Sequence, residues 1–246
     1  MLTTLGTGDL LADRTGATPA SVVALHGWAR SGADFSSIVA GLDAVAPHFW
    51  GFGTTTAPPE AWGSADYADA LAAALEGSAP VVVVGHSFGG RVAVHLAQRH
   101  PHLVKGIVLT GVPLVRLKAA PAPALGFRIV RSLAKAGIVP KAVLESQRRK
   151  HGSADYLAAQ GVMRDILVRV VGESYAEQLA AIRVPVRMVW GENDTAAPAN
   201  AGEAASALIA GSRFRVVAGA GHLLEGPLSI AVREELLALI SETTTP

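Results

Sequence analysis

The stretch Val81–Gly90 reads VVVVGHSFGG, four consecutive valines running into Gly-His-Ser-Phe-Gly-Gly, and Arg91–His100 after it reads as a helix. A β-branched run of this kind, ended by glycine, is the pattern of a strand buried on both faces. Gly85-x-Ser87-x-Gly89 puts small residues two before and two after a serine, which lets the chain bend sharply and hold the hydroxyl exposed in a strained backbone conformation. In a chain with 26 glycines the five-residue spacing is weak by itself. The strand before it and the helix after it supply the context that makes Ser87 a candidate nucleophile.

Working outward from this turn, short apolar runs at Ser21–Leu25, Leu42–Phe49, Val104–Leu109, Pro185–Trp190 and Arg213–Val217 read as further strands, and Leu2–Asp13 as an edge hairpin. Helical spacing is present at Asp34–Leu42, Asp66–Leu75, Ala199–Ile209 and Leu228–Ile240. Strands alternating with helices predict an α/β fold with a mostly parallel sheet covered on both faces, and an active site beyond the carboxyl ends of its strands. Between Pro113 and Tyr175 the alternation stops. Prolines 113, 121, 123 and 140, helical patches at Phe127–Ala136 and Lys141–Lys150, and the lack of a strand pattern predict a helical lid, residues 113–175, inserted into a core of residues 1–112 and 176–246. The first part of this segment is basic, with Arg116, Lys118, Arg128, Arg131, Lys135, Lys141, Arg148, Arg149 and Lys150 set against Glu145. Such a run is a solvated face or a device that steers an anionic substrate toward the cleft.

Composition narrows the classes of function. A chain of 246 residues with half of them hydrophobic is ample for one large core. A formal net charge of +1 gives no reason to expect nucleic acid or another polyanion. With no cysteine there are no disulfides and no thiolate metal sites. Met1–Ala20 lacks a basic start followed by an apolar run, and no apolar stretch approaches the roughly 20 residues of a membrane helix, so the expectation is a soluble, cytoplasmic protein with no membrane partner.

A serine hydroxyl attacks only when a base takes its proton, and the base works best when a carboxylate fixes its tautomer. His222 lies in the glycine-rich Ala218-Gly-Ala-Gly-His222, past one predicted strand and before a helix, and is the one histidine of eight that combines position with a flexible loop. Gly191-Glu192-Asn193-Asp194 follows the strand VRMVW, so Glu192 and Asp194 both stand at the correct sheet edge. The oxyanion of a tetrahedral intermediate needs backbone donors. Candidates are the amide of Phe88, directly after Ser87, and that of Trp28 in His26-Gly27-Trp28, after the earlier strand.

With HGW at 26–28, GFG at 51–53, GHSFGG at 85–90, WGEND at 190–194 and GAGH at 219–222, the chain resembles the α/β-hydrolase-fold serine hydrolases over nearly its whole length, as a lidded, bacterial esterase-like member. The resemblance implies a Ser87–Asp194–His222 triad, selecting Asp194 over Glu192, and no metal or organic cofactor. Relatives commonly carry Asp-x-Pro before the Gly-Phe-Gly turn, where this chain has His48-Phe49-Trp50. The replacement alters a loop-organising position, or else puts His48 and Trp50 in the substrate pocket. The expected reaction is hydrolysis of a small carboxylic ester or thioester, its substrate anionic if the basic segment steers. Alternatives are the same triad used for carbon–carbon bond hydrolysis, perhydrolysis or a lyase step, and a binding protein that has kept the fold.

Overall fold

The computed structural model describes residues 1–6, 10–117 and 154–244. Eight strands form one sheet among these residues: β1 (Leu2–Leu5), β2 (Leu10–Thr15), β3 (Val22–Leu25), β4 (Ala44–Pro47), β5 (Val81–His86), β6 (Val104–Thr110), β7 (Val186–Gly191) and β8 (Arg213–Val217). Their order is β1-β2-β4-β3-β5-β6-β7-β8, antiparallel from β1 through β2 to β4 and parallel everywhere else. The connecting helices are α1 (Ser64–Leu75), α2 (Phe88–Arg99), α3 (Ala154–Ala158), α4 (Gly161–Gly172), α5 (Ala176–Ala181), α6 (Ala199–Ser206) and α7 (Gly226–Thr244).

The four valines of β5 show why the sheet needs helices on both sides. Val81 and Val83 pack into a cluster with Leu71 of α1, Leu96 of α2 and Leu179 of α5. Val82 and Val84 point the other way, toward Phe35, Ile38 and the α7 residues Val232, Leu236 and Leu239. A strand alternates its side chains between faces, so an unbroken valine run is stable only where both faces are covered. At the sheet edge β8 is largely exposed, and its arginines are held by α7: Arg215 pairs with Glu234 at 2.8 Å and Arg213 with Glu242 at 3.1 Å.

One helix was expected where the structure has none. Asp34–Leu42 carries helical spacing, but only Gly32–Phe35 forms a 3-10 turn, followed by irregular turns. Ser36, Ser37 and Gly41 interrupt it, and such residues favour turns over helix interiors. Phe35 and Ile38 are nevertheless fully buried, which is the demand that the spacing reflected. Phe127–Ala136 and Lys141–Lys150 lie outside the described residues. So do the basic residues named above from Lys118 onward, and Glu145. Of the described residues of this segment, Ala154–Ala158 and Gly161–Gly172 form the helices α3 and α4, and 113–117 are irregular. No described helix is long and apolar enough to cross a membrane.

Candidate active site

β3, β5, β7 and β8 all deliver a loop at the same edge of the sheet: His26-Gly27-Trp28, Ser87, the segment to Asp194, and the segment to His222. Ser87 sits between β5 and α2 with φ 51° and ψ −113°, a region that costs a non-glycine residue of order 1–3 kcal/mol and persists only when its surroundings enforce it. The surroundings are two glycines. A Cβ on Gly89 would stand 2.1 Å from the carbonyl oxygen of Leu25, and one on Gly85 would stand 2.7 Å from the Cα of Gly90, so α2 reaches β3 and folds back on β5 only without side chains there. Ala29, after Trp28, is the other described non-glycine residue at positive φ, 53°.

Asp194 is almost fully buried and its carboxylate is held on both oxygens. Oδ1 accepts the amides of Ala196 at 2.9 Å and Ala197 at 2.7 Å, and Oδ2 lies 2.8 Å from Nδ1 of His222. An ionised carboxylate only accepts, so Nδ1 carries the imidazole proton and Nε2 keeps its lone pair. Gly111, at φ 59°, passes beneath the pair. A Cβ there would lie 3.0 Å from the His222 ring and 3.2 Å from Asp194 Oδ2. Glu192, the competing acid, points elsewhere and accepts the amide of Gly219 at 2.8 Å, tying the β7 loop to the glycines that precede His222.

Ser87, Phe88, Gly27, Trp28, His86 and His222 line one pocket of about 350 Å³. No acceptor among the described residues takes the amide N–H of Trp28 or of Phe88. His48 and Trp50 are placed otherwise, and neither lines this pocket. The amide of His48 bonds to Leu11 of the edge strand β2 at 2.8 Å, and its Nε2 lies 3.0 Å from Asp13, so β4 pairing pulls the residue toward the sheet edge. Trp50 packs on Trp62 at 5.4 Å between centroids, and its carbonyl accepts the hydroxyl of Tyr67 at 2.9 Å.

Two histidines that motif spacing leaves without a role hold the site together. His86 donates through Nε2 to the carbonyl of His222 at 2.9 Å, and burial lowers its pKa to about 4, so it is neutral at physiological pH. His26 accepts the amide of Phe49 at Nε2 (3.2 Å) and therefore donates from Nδ1 to the carbonyl of Gly27 (2.8 Å). Burial likewise lowers it to about 4. These are neutral imidazoles used as fixed struts, one for the loop of His222 and one for the loop of Trp28. Arg91 is also drawn in: it is buried, and it lines the pocket with Ser87.

Comparison with known proteins agrees with this architecture. The alpha/beta hydrolase family profile matches residues 22–229. A lipase, LipV, of Mycobacterium tuberculosis is 41% identical over 108 residues, 41% of each chain. A pimeloyl-acyl-carrier-protein methyl ester esterase of Neisseria meningitidis is 28% identical over 229 residues, covering 82% of this chain and 86% of that one. Among solved structures, a thermophilic esterase from Thermogutta terrifontis superposes with a TM-score of 0.67 at 18% identity, with complete coverage of both chains. With its sheet order, its strained serine turn and this profile match across most of its length, the chain belongs to the alpha/beta hydrolase family and is a hydrolase.

Proposed function

We propose that the chain hydrolyses a small carboxylic ester or thioester through an acyl-enzyme on Ser87. The observation that carries the reading is the 2.8 Å contact between His222 Nδ1 and a doubly held Asp194, with His222 and Ser87 facing one pocket. In this reading the Nε2 lone pair of His222 takes the Ser87 proton as Oγ attacks the carbonyl carbon, and returns it to the departing alkoxide or thiolate. The amides of Trp28 and Phe88, which meet no acceptor among the described residues, donate to the oxyanion. Water then attacks the acyl-serine with His222 again as base, which frees the acid and the enzyme. Lipase- and esterase-named relatives support an ester over the carbon–carbon, perhydrolytic and lyase alternatives. We read residues 113–175 as a cap on this site, since Leu167, Val170 and Val171 of α4 form one wall of the pocket. Ser87→Ala is expected to lower kcat on a p-nitrophenyl ester by at least about 10⁴-fold and to abolish labelling by a fluorophosphonate. Full turnover by the variant would overturn the mechanism.

A further inference from the structure

Arg91 stands four residues after Ser87: its amide bonds to the Ser87 carbonyl at 3.4 Å, and both residues line the same pocket. It is only 7% exposed, yet it pairs with no carboxylate among the described residues. Its Nη1 donates to the carbonyl of Val170 and its guanidinium lies over the ring of Tyr175, 5.5 Å from the centroid. The bond to Val170 docks the last turn of α4 and could be made by a neutral amide. The ring contact offsets only part of the cost of burying the charge, and no carboxylate among the described residues offsets the rest.

The walls show where a counter-ion would come from. Arg91 lines the Ser87 pocket and also a second cavity of about 630 Å³, which shares Pro113, Val171 and Ala196 with the first. Arg116 lines this second cavity too, and it likewise gives one N–H to an α4 carbonyl, that of Val171. Each guanidinium has five donors, so each keeps N–H groups that take no carboxylate among the described residues. The other described walls are apolar except for Asn200, and none is acidic. The acid of the first pocket, Asp155, is exposed and also borders a third cavity beside Phe52 and Met163, which directs an anion away from that end. The remaining arginine of the first pocket, Arg30, is already paired with Asp34 at 2.6 Å.

We propose that the Arg91–Arg116 branch holds a free carboxylate of the substrate, so that the protein cleaves half-esters or half-thioesters of dicarboxylic acids: the ester carbonyl at Ser87, an apolar spacer, and the second carboxylate between the two guanidiniums. This rests on the hydrolase reading above. The reaction balances with water alone, since Ser87 displaces the alcohol or thiol and water releases the dicarboxylate. An aliphatic spacer suits the apolar walls, and planar guanidinium edges match a carboxylate.

The test compares p-nitrophenyl half-esters of linear dicarboxylic acids of increasing chain length with neutral esters of equal length that end in methyl. At one spacer length the wild-type protein is expected to favour the half-ester by at least about tenfold in kcat/KM, mainly through KM. Arg91→Gln keeps a donor for the Val170 carbonyl and is expected to reduce that preference about tenfold, as is Arg116→Gln. Should Arg91→Gln fail to fold, the wild-type comparison decides by itself. Neutral-ester turnover and fluorophosphonate labelling of Ser87, with no half-ester preference at any length, would overturn this inference and leave the hydrolase reading standing. Absence of turnover and labelling in the folded wild-type protein would overturn both.

Discussion

Ser87, Asp194 and His222 are far apart in sequence, and the contacts that orient them come from residues to which the motifs assign no role. His86 is the clearest case. It adjoins Ser87 in the chain, but its bond goes to the carbonyl of His222, 136 positions later. Removing it leaves a part-buried carbonyl unpaired and loosens the loop that presents the imidazole. His86→Leu is therefore expected to lower kcat about tenfold, the worth of one net hydrogen bond of roughly 1–1.5 kcal/mol, with KM little changed, whereas His86→Gln, which keeps a donor, recovers most of the loss. Steady-state kinetics on one ester decide this, and equal kcat for both variants and the wild type would refute the strut. Ser87 and His222 were legible as candidates because glycine spacing and strand-following loops leave marks in the sequence. Arg91 and His86 were not, because their meaning lies in partners brought close only by folding: the Val170 carbonyl and Tyr175 ring for one, the His222 carbonyl for the other.

At the level of elements, the elbow depends on how closely α2 approaches β3. Gly89 is where that approach leaves no room, because its missing Cβ would meet backbone, the Leu25 carbonyl at 2.1 Å and the His26 oxygen at 2.7 Å, and backbone cannot swing aside as a flexible side chain can. Gly89→Ala should force α2 off the sheet, destabilise the fold by about 1–3 kcal/mol and displace Ser87 from the Trp28 amide. A thermal melt with an unchanged midpoint, together with wild-type kcat, would contradict it. The element pattern was largely readable: β3 to β8 fall within or close to the predicted runs, α2 begins three residues before the predicted Arg91 and ends at Arg99, and α7 extends beyond Leu228–Ile240 at both ends. The exception, Asp34–Leu42, shows the limit of periodicity. Burial of Phe35 and Ile38 produces apolar spacing whether the backbone is helix or turn, and only the local serines and glycine tell against a helix.

For the whole molecule, the buried neutral histidines set an acid limit on stability. His26 and His86 have folded pKa values lowered from 6.5 to about 4, mainly by burial. Between those values the unfolded chain binds protons that the folded chain refuses, so stability rises with pH across this window. It is fully present above about 6.5 and lost as pH falls toward 4. Each group contributes on the order of 3 kcal/mol to that slope. Chemical denaturation at pH 7 and at pH 4.5 is expected to show a markedly lower unfolding free energy at the lower pH, with part of the difference removed in His86→Leu, and a flat profile would refute it. The valine run, the alternation of strands and helices and the serine turn were determined by sequence, because hydrophobic period and glycine spacing are local properties of the chain. The docking of His222 on Asp194, the placement of His48 and Trp50 outside the pocket, and the burial beside Ser87 of an Arg91 that pairs with no carboxylate among the described residues were decided only by tertiary structure. Each depends on which strands become neighbours, and the strand order that brings β3, β5, β7 and β8 to one edge is a long-range outcome of covering both faces of a single sheet.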